Sequence, residues 1–346
     1  MDDSLRLETE KLARSWRQYD APFLRDYLVA DVEDPRLNVQ SILSRHFLIA
    51  TLFGEKFQEL GLQELRFAAA MSWLARMARS SGGAEQSRVV LHALEHGADN
   101  AEGLQIPHFI SATFRSLPIC PGGITILNYV RDFLVSADGA PAPPGPQAPG
   151  FNTFVSIWRT ALSKEQPPPV AVLEPACGSA NDYRFLEAYG LARLIDYSGF
   201  DLCEKNVANA RAMFPDIRFR VGNVFEIAAP DQSFDLCFAH DLLEHLSLPG
   251  LECAISELCR VTRHGICVGF FQMDELPEHI VRPVGAYHVN TLSLVKTEAL
   301  FTQHGFAVQP LHIGSYLRGR VGCNETHNTN AYTFLTFRTN AHFIKP

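Results

Sequence analysis

Apolar residues in the first 135 or so positions recur at the spacing of amphipathic helices. In the segment 41–53 they lie mostly three or four positions apart, which places them on one face of a helix. The segment 62–79 is rich in Ala and Leu with the same spacing, and the glycine pair at 82–83 ends it. A shorter helix is predicted over 88–96. The pattern therefore predicts a mainly helical first domain.

The pattern changes in the second half of the chain. The segment 138–150 is dense in Pro, Gly and Ala, which predicts a linker or extended loop between a helical domain, 1–137, and a second domain, 151–346. A helix is predicted over 151–163 and another over 291–303. Short apolar runs alternate with segments of helical length at 170–174, 195–201, 217–221, 234–239 and 265–271. Because this alternation is typical of βαβ units, we predict an α/β fold: a doubly wound, mostly parallel, Rossmann-like sheet.

Composition and charge narrow the class of protein. The chain has 346 residues, 30 Lys and Arg, 38 Asp and Glu and a net charge of −8, which argues against a general nucleic-acid binder. Its start is charged rather than apolar, and no run approaches the roughly 18 apolar residues that cross a bilayer. None of the eight cysteines forms a Cys-x-x-Cys pair, so we expect a reduced, cytoplasmic protein with buried thiols and no metal site.

The helical half contains four histidines and no recognisable site motif. They are His46, His92, His96 and His108. Since isolated histidines on helices are usually structural, we interpret all four as structural residues.

The strongest candidate site follows the strand at 170–174. That strand ends in Glu174, and the small residues of the turn at 175–180 would let the backbone approach a nucleotide-sized ligand closely. The second strand ends in Asp201, where a carboxylate can bind both hydroxyls of a ribose. The turn alone is weak evidence for a nucleotide-binding site, and its spacing to Asp201 strengthens that evidence.

Two further elements follow the next strands. Asn223 carries an amide that can bind the edge of an adenine, while Val224 packs on the face of the ring. The block 234–246 reads as a strand followed by a helix that opens with His240 and Asp241 at the carboxyl edge of the sheet. Doubly wound folds bind their ligands at this edge.

These four elements, in this order and spacing, resemble the class I S-adenosylmethionine-dependent methyltransferases, and the block FDLCFAHDLLEHL resembles their small-molecule, type 11-like branch. The resemblance covers roughly 151–340. It implies S-adenosyl-L-methionine as the cofactor, with its methionine end at the turn, its ribose at the acid after the second strand and its sulfonium beside the end of the fourth. The residues that it assigns to the cofactor are Glu174, Ala176, Cys177, Gly178, Asn181, Asp201, Leu202, Asn223, Val224 and His240.

The sequence departs from the family pattern at three positions. The usual Gly-x-Gly-x-Gly turn has Ala176 and Ala180 here, and alanine disfavours positive φ, so the turn is either slightly different or held by its neighbours. Asn223 replaces the usual acid. The fragment 175–179 also resembles adenine-specific DNA methyltransferases, but the chain lacks their Asn-Pro-Pro-Tyr/Phe motif, which with the acidic charge argues against base methylation.

An oxygen acceptor needs a base to remove its proton, and the aligned cofactor supplies the rest of the chemistry. The predicted base is His245, Glu244 or His288. Residues predicted to contact substrate are Asp241, His279 and Tyr287. His240 and His245 would lie about 140° apart on one helix, so they cannot both face the cofactor.

The leading hypothesis is an O-, N- or C-methyltransferase that acts on a small molecule, in secondary metabolism. The helical half would then form a lid over the acceptor or the interface of a homodimer. A methyltransferase-like binding module without catalysis stays open, because the turn and the adenine position depart from the family pattern. A nicotinamide oxidoreductase is a third reading, although its fingerprint needs three glycines where this turn has one.

Overall fold

The structure, a computed structural model, describes residues 3–27, 34–96, 100–101, 104–116, 126–135, 152–324 and 328–339. Its first half is helical, as the spacing predicts. The helices are α1 (Asp3–Ser15), α2 (Ala21–Asp26), α3 (Val39–Phe53), α4 (Gln58–Arg79), α5 (Gly83–Glu95), α6 (His108–Ser116) and α7 (Ile126–Leu134). A two-residue antiparallel pair, Asn100–Ala101 with Leu104–Gln105, separates α5 from α6. The predicted linker at 138–150 lies outside the described residues, so the domain boundary stays a prediction.

The second half forms a seven-stranded sheet. Its strands are β1 (Val170–Pro175), β2 (Ile195–Asp201), β3 (Arg218–Val221), β4 (Phe234–His240), β5 (Thr262–Phe270), β6 (Phe306–His312) and β7 (Tyr332–Arg338). The order across the sheet is β6–β7–β5–β4–β1–β2–β3. Strands β1 to β5 are parallel, and β7 is antiparallel to both of its neighbours. This confirms the predicted doubly wound, mostly parallel sheet.

Helices cover both faces of the sheet. They are α8 (Thr153–Leu162), α9 (Asn181–Ala188), α10 (Glu204–Met213), α11 (Leu248–Val261), α12 (Leu294–Gln303) and α13 (Ile313–Val321). The chain runs outward from β1 to β3 and returns to place β4 beside β1, so the strand order reverses between β1 and β4. In such sheets the crevice at this reversal, outside the carboxyl ends of the strands, is where ligands bind.

The prediction of a helix that begins at His240 is wrong. Strand β4 continues through His240, and Asp241 then has a φ of +50°, which cannot continue a helix. A single 3₁₀ turn, Leu243–His245, follows, and α11 begins only at Leu248, where the Ser247 side chain caps the Gly250 N–H. The 140° separation of His240 and His245 therefore does not apply.

The helical half packs directly on one face of the sheet. A Cβ at Gly265 of β5 would lie 2.8 Å from Cζ of Phe47 on α3, so this glycine permits the close approach. Gln40 of α3 donates hydrogen bonds to the carbonyl of Phe270 at 3.2 Å and of Tyr332 at 2.7 Å. One apolar core therefore extends from α3 and α4 into the sheet. No helix within the described part of the chain combines the length and apolar character needed to cross a membrane.

Candidate functional site

The turn after β1 has three left-handed residues. Ala176, Gly178 and Ala180 have φ values of +52°, +54° and +63°. A left-handed alanine is unfavourable by about 1–2 kcal/mol, so surrounding contacts must hold this shape. They include a 3.0 Å hydrogen bond from the Cys177 N–H to the Phe200 carbonyl and a 2.9 Å bond from the Gly178 N–H to Asp201 Oδ2. The turn is thus held by its neighbours, one of the two outcomes that the sequence predicts.

Asn181, the first residue of α9, carries an amide that the described residues leave unsatisfied. Its side chain is buried at 4% exposure, and neither Oδ1 nor Nδ2 has a hydrogen-bond partner in the described part of the chain. A Cβ at Gly178 would lie 3.4 Å from Asn181 Nδ2. An unsatisfied buried amide is unfavourable by about 1–3 kcal/mol, which indicates that a polar ligand group belongs beside it.

Asp201 ends β2 and anchors the other side of the turn. Besides the Gly178 N–H, its carboxylate accepts the Cys203 N–H at 2.7 Å and the Asn206 amide at 3.3 Å. Burial raises the pKa of Asp201, and these hydrogen bonds only partly oppose the rise. A carboxylate has about four acceptor positions, so one remains after these three bonds. Leu202, the next residue, is half-buried.

Glu174 completes a group of carboxyls around the turn. Burial and the nearby charge of Asp182 raise its pKa well above the usual range, although the Tyr197 hydroxyl donates a hydrogen bond to it. Burial, with the charges of Glu174 and Asp201, also raises the pKa of the Cys177 thiol well above its usual range. Because burial and the charges of Asp182 and Asp201 destabilise the Glu174 carboxylate, this position favours a cationic ligand.

The predicted adenine position is covered by α1. Asn223 Oδ1 accepts the Phe225 N–H at 3.0 Å, and Asn223 Nδ2 donates to Thr9 Oγ1, also at 3.0 Å. Val224 is buried in the same apolar cluster as Leu5 of α1. A second link joins Glu8 of α1 to the N–H and hydroxyl of Ser247. Nothing in the local sequence pattern indicates this contact, because it spans more than 200 residues.

His240, at the end of β4, joins the turn to the helical half. Its Nδ1 lies 3.0 Å from Asp182 Oδ2, and its Nε2 lies 2.7 Å from the Ser44 hydroxyl on α3. Burial alone would raise the pKa of Asp182, but the charge and hydrogen bond of His240 and the charge of Arg45 hold it below its usual range. A Cβ at Gly269 of β5 would lie 2.7 Å from the His240 ring, so a glycine is needed there.

A second group of candidate residues lies just beyond β4. His245 Nδ1 is 2.8 Å from the His288 carbonyl, and His245 Nε2 is 2.8 Å from Asp241 Oδ1. Burial would lower the pKa of His245, but the hydrogen bond and charge of Asp241, with the charge of Glu244, raise it to about 9. Both nitrogens face acceptors, so this geometry favours the imidazolium at neutral pH.

Glu244, another candidate base, has one satisfied and, within the described structure, one unsatisfied carboxyl oxygen. Its side chain is 1% exposed, and Oε1 accepts the Phe271 N–H at 2.7 Å. Its Oε2 has no hydrogen-bond partner among the described residues. Burial and the charge of Asp241 raise its pKa to about 7, with His245 opposing the rise. Glu244 can therefore change protonation near neutral pH.

The other predicted substrate residues lie on the chain that follows β5. Tyr287 is 41% exposed, and its ring meets the His245 ring edge-on with centroids 5.8 Å apart. His288 Nδ1 is buried without a hydrogen-bond partner among the described residues. His279 Nδ1 instead accepts the Ser293 N–H at 3.0 Å, and burial lowers its pKa. The structure thus brings Tyr287 and His288 to His245, whereas His279 is used to hold its own loop.

Sequence comparisons relate part of this chain to known proteins. Residues 172–265 match the family model described as a methyltransferase domain. A Mycolicibacterium smegmatis protein named "probable S-adenosylmethionine-dependent methyltransferase" is 30% identical over 148 residues, which cover 40% of this chain and 52% of that protein. The chain therefore spans about half the length of this curated relative.

Solved structures are similar to part of the chain. An S-adenosylmethionine-dependent methyltransferase from Mesorhizobium loti aligns with a TM-score of 0.40 and 16% identity over 52% of this chain and 96% of that one. Magnesium protoporphyrin IX methyltransferase from Synechocystis, solved with S-adenosylmethionine bound, aligns with a TM-score of 0.37 and 14% identity over 54% of this chain and 78% of that one.

Proposed function

We propose that this chain, whose residues 172–265 match a methyltransferase domain, is a class I S-adenosylmethionine-dependent methyltransferase that transfers a methyl group to a small molecule. One observation carries the proposal. The buried amide of Asn181 has no partner among the described residues and lies beside Gly178, in the turn that follows β1. This is where the family motif places the methionine end of the cofactor, so the residues present fit the group.

Each part of the cofactor has a matching residue in this arrangement. Asn181 and the backbone of the turn would bind the amino-acid end, and Asp201 would use its remaining acceptor position for the ribose. Asn223 and Val224 lie at the predicted adenine position, but α1 covers them, so α1 would have to move before they could contact the ring. The carboxyl of Glu174 and its neighbours would favour the positive sulfonium. When bound, the cofactor supplies the electrophilic methyl group, and the protein supplies alignment and excludes water.

For an acceptor that must lose a proton, we propose Glu244 as the base. Its Oε2 has no partner in the described structure, and its pKa of about 7 suits proton transfer at neutral pH. His245 is less suited, because Asp241 and the His288 carbonyl favour its protonated form. His288 keeps a buried Nδ1 without a described partner and is the alternative base. Asp241 and Tyr287 would then contact the acceptor.

The net charge of −8 supports a small molecule rather than nucleic acid as the acceptor. The cysteines that the structure describes are free and mostly buried, which supports the predicted reducing, cytoplasmic location. A role in secondary metabolism and a homodimer formed through the N-terminal helices stay predictions. The contact of α1 with Asn223 covers the adenine position, and the lid over the acceptor stays a prediction as well.

Calorimetric titration with S-adenosylhomocysteine tests the cofactor site. We expect the wild-type chain to bind and Asn181→Ala to bind about ten-fold more weakly, because the buried amide loses its ligand contact. Asn330→Ala, which removes an amide outside the turn, is the matched control and should bind normally. Absence of binding by the folded wild-type chain would refute the proposal.

Methyl transfer itself is tested with methyl-labelled S-adenosylmethionine and a panel of small phenols, amines and carboxylic acids. We expect label in at least one acceptor class, and Glu244→Gln should reduce the rate for a phenol by roughly 10²–10⁴-fold without changing cofactor affinity. Cofactor binding with no transfer to any acceptor would favour the binding module instead.

A further inference from the structure

A cavity of about 630 Å³ lies between α3, α4 and the outer strands of the sheet, away from the turn after β1. Its size is within the range of about 300–1,000 Å³ that is usual for small-molecule sites. The inner walls are apolar and include Phe47, Leu65 and Leu335, whereas exposed residues of both charges, among them Glu59 and Arg320, line its opening. Mixed charges at the opening give no preference for an anion or a cation.

A buried carboxylate lies behind one wall of this cavity. Glu64 of α4 is 1% exposed, and its Oε1 accepts a hydrogen bond from Arg45 at 3.2 Å. Its Oε2 accepts the indole N–H of Trp158 at 2.7 Å. The same Oε2 lies 2.7 Å from His46 Nε2. Although burial would raise the pKa of Glu64, the charge of Arg45 and the His46 hydrogen bond lower it to about 2. Glu64 is therefore ionised and can only accept.

This arrangement fixes the tautomer of His46. Because the Glu64 carboxylate can only accept, the proton of a neutral His46 must be on Nε2, and Nδ1 is left as an acceptor. The described residues provide no hydrogen bond to Nδ1. The His46 side chain is 18% exposed and lines the cavity, as do Trp158 and Gly61. The sequence alone suggests a structural histidine, but the buried carboxylate orients this ring toward a space that can hold a ligand.

Gly61 is a second observation that indicates a defined position for the His46 ring. It lies within α4, where glycine is less favourable than alanine by about 1 kcal/mol. A Cβ at this position would lie 3.1 Å from Cε1 and 3.2 Å from Nδ1 of His46. The absence of a side chain therefore lets α4 pass close to the ring without pushing it aside.

We propose that this cavity is a second small-molecule site, whose ligand is neutral, has an apolar body and donates a hydrogen bond from a hydroxyl or amide group to Nδ1 of His46. The site does not depend on the proposed methyl transfer, because it uses none of the residues at the carboxyl edge of the sheet.

The test uses a matched pair of probes, 2-naphthol and 2-methoxynaphthalene, titrated calorimetrically into the full chain. Only the first donates a hydrogen bond. We expect wild type to bind 2-naphthol about ten-fold more tightly than the ether, the size of one buried hydrogen bond. His46→Phe should abolish this preference while it keeps the affinity for the ether within about two-fold. Gly61→Ala should weaken 2-naphthol binding several-fold in a chain that still unfolds cooperatively, because its Cβ would displace the His46 ring.

His92→Phe, an exposed histidine on α5 outside the cavity, is the matched control and should retain the preference. Binding should also be unchanged when S-adenosylhomocysteine is in excess. Equal affinity for the two probes, no binding of either, a preference that survives His46→Phe, or displacement by S-adenosylhomocysteine would each overturn the proposal.

Discussion

Replacing Asp241 with asparagine should lower the pKa of His245. In the wild type, Asp241 Oδ1 lies 2.8 Å from Nε2 of His245, and the pKa of the imidazole is raised from its usual 6.5 to about 9. Asn has nearly the same shape and tolerates the positive φ of this position, so Asp241→Asn removes the charge with little change in the backbone. We expect the pKa of His245 to fall toward 6.5, with Glu244 and the His288 carbonyl keeping part of the rise.

The same substitution has a stability consequence with a defined sign. A folded-state pKa raised above the unfolded value gives stability that is complete below about pH 6.5 and is lost as the pH rises through about 9. The full shift would correspond to about 3 kcal/mol at 1.36 kcal/mol per pKa unit. Asp241 is 46% exposed, and solvent screening reduces this to about 1–2 kcal/mol. Wild type should lose this amount between pH 6.5 and 9, and Asp241→Asn should lose less.

Two measurements check this reasoning. Histidine side-chain NMR gives the pKa of His245 directly, and urea unfolding at pH 6, 7.5 and 9 gives the free energy of unfolding. Asp216→Asn, which removes an exposed carboxylate elsewhere, is the matched control. Titration of His245 near 6.5 in the wild type would refute the assigned imidazolium. An equal loss of stability with pH in wild type and Asp241→Asn would refute the role of Asp241. The raised pKa of Glu244, about 7, adds a second loss of stability at lower pH, because its stabilising contribution is lost as the pH rises from about 4.5 to 7.

Three further predictions follow from the turn after β1. Asp201→Ala should weaken S-adenosylhomocysteine binding by about 1.5–3 kcal/mol, the range for charged hydrogen bonds, and unchanged calorimetric affinity would contradict the ribose assignment. Ala176→Gly and Ala180→Gly should each raise the free energy of unfolding in urea by about 0.5–1 kcal/mol. The reason is that relief of left-handed strain exceeds the entropy that glycine adds to the unfolded chain. A loss of stability would argue against that strain. Glu174→Gln should weaken binding of S-adenosylmethionine several-fold more than that of S-adenosylhomocysteine, whose sulfur carries no charge. Equal losses would show that Glu174 does not favour the sulfonium.

The parallel strands could be predicted from the sequence because each is a short apolar run bounded by polar segments. The predicted bounds of β1 to β5 agree with the structure to within about three residues at each end. Strands β6 and β7 are absent from the prediction. Both have apolar and polar residues mixed along their length, and β6 contains Pro310, a residue that is disfavoured within sheets except at an edge strand such as this one. The pairing of β7 with β5, and of β6 with β7, depends on tertiary contacts that a local pattern does not contain.

The candidate site could be predicted only where a motif follows a strand. The structure brings Glu174, Gly178, Asn181 and Asp201 together at the turn, because parallel strands end at one edge. The helix expected after β4 does not form, because Asp241 has a left-handed backbone. The sequence pattern does not indicate that conformation. The orientation of His245 was equally inaccessible, since it depends on the His288 carbonyl, 43 residues away.

The helical half contributes to the chemistry of the cofactor edge, although the family resemblance begins only near residue 151. Asp182 is ionised, so it accepts the Nδ1 proton of His240. The remaining nitrogen can then accept the Ser44 hydroxyl proton, and Ser44 Oγ lies 3.2 Å from Cys267 Sγ, whose thiol can donate in turn. Ser44 of α3 and Asp182 of α9 therefore hold the His240 ring at both of its nitrogens, so a residue of the helical half helps to fix the orientation of a side chain at the candidate cofactor site.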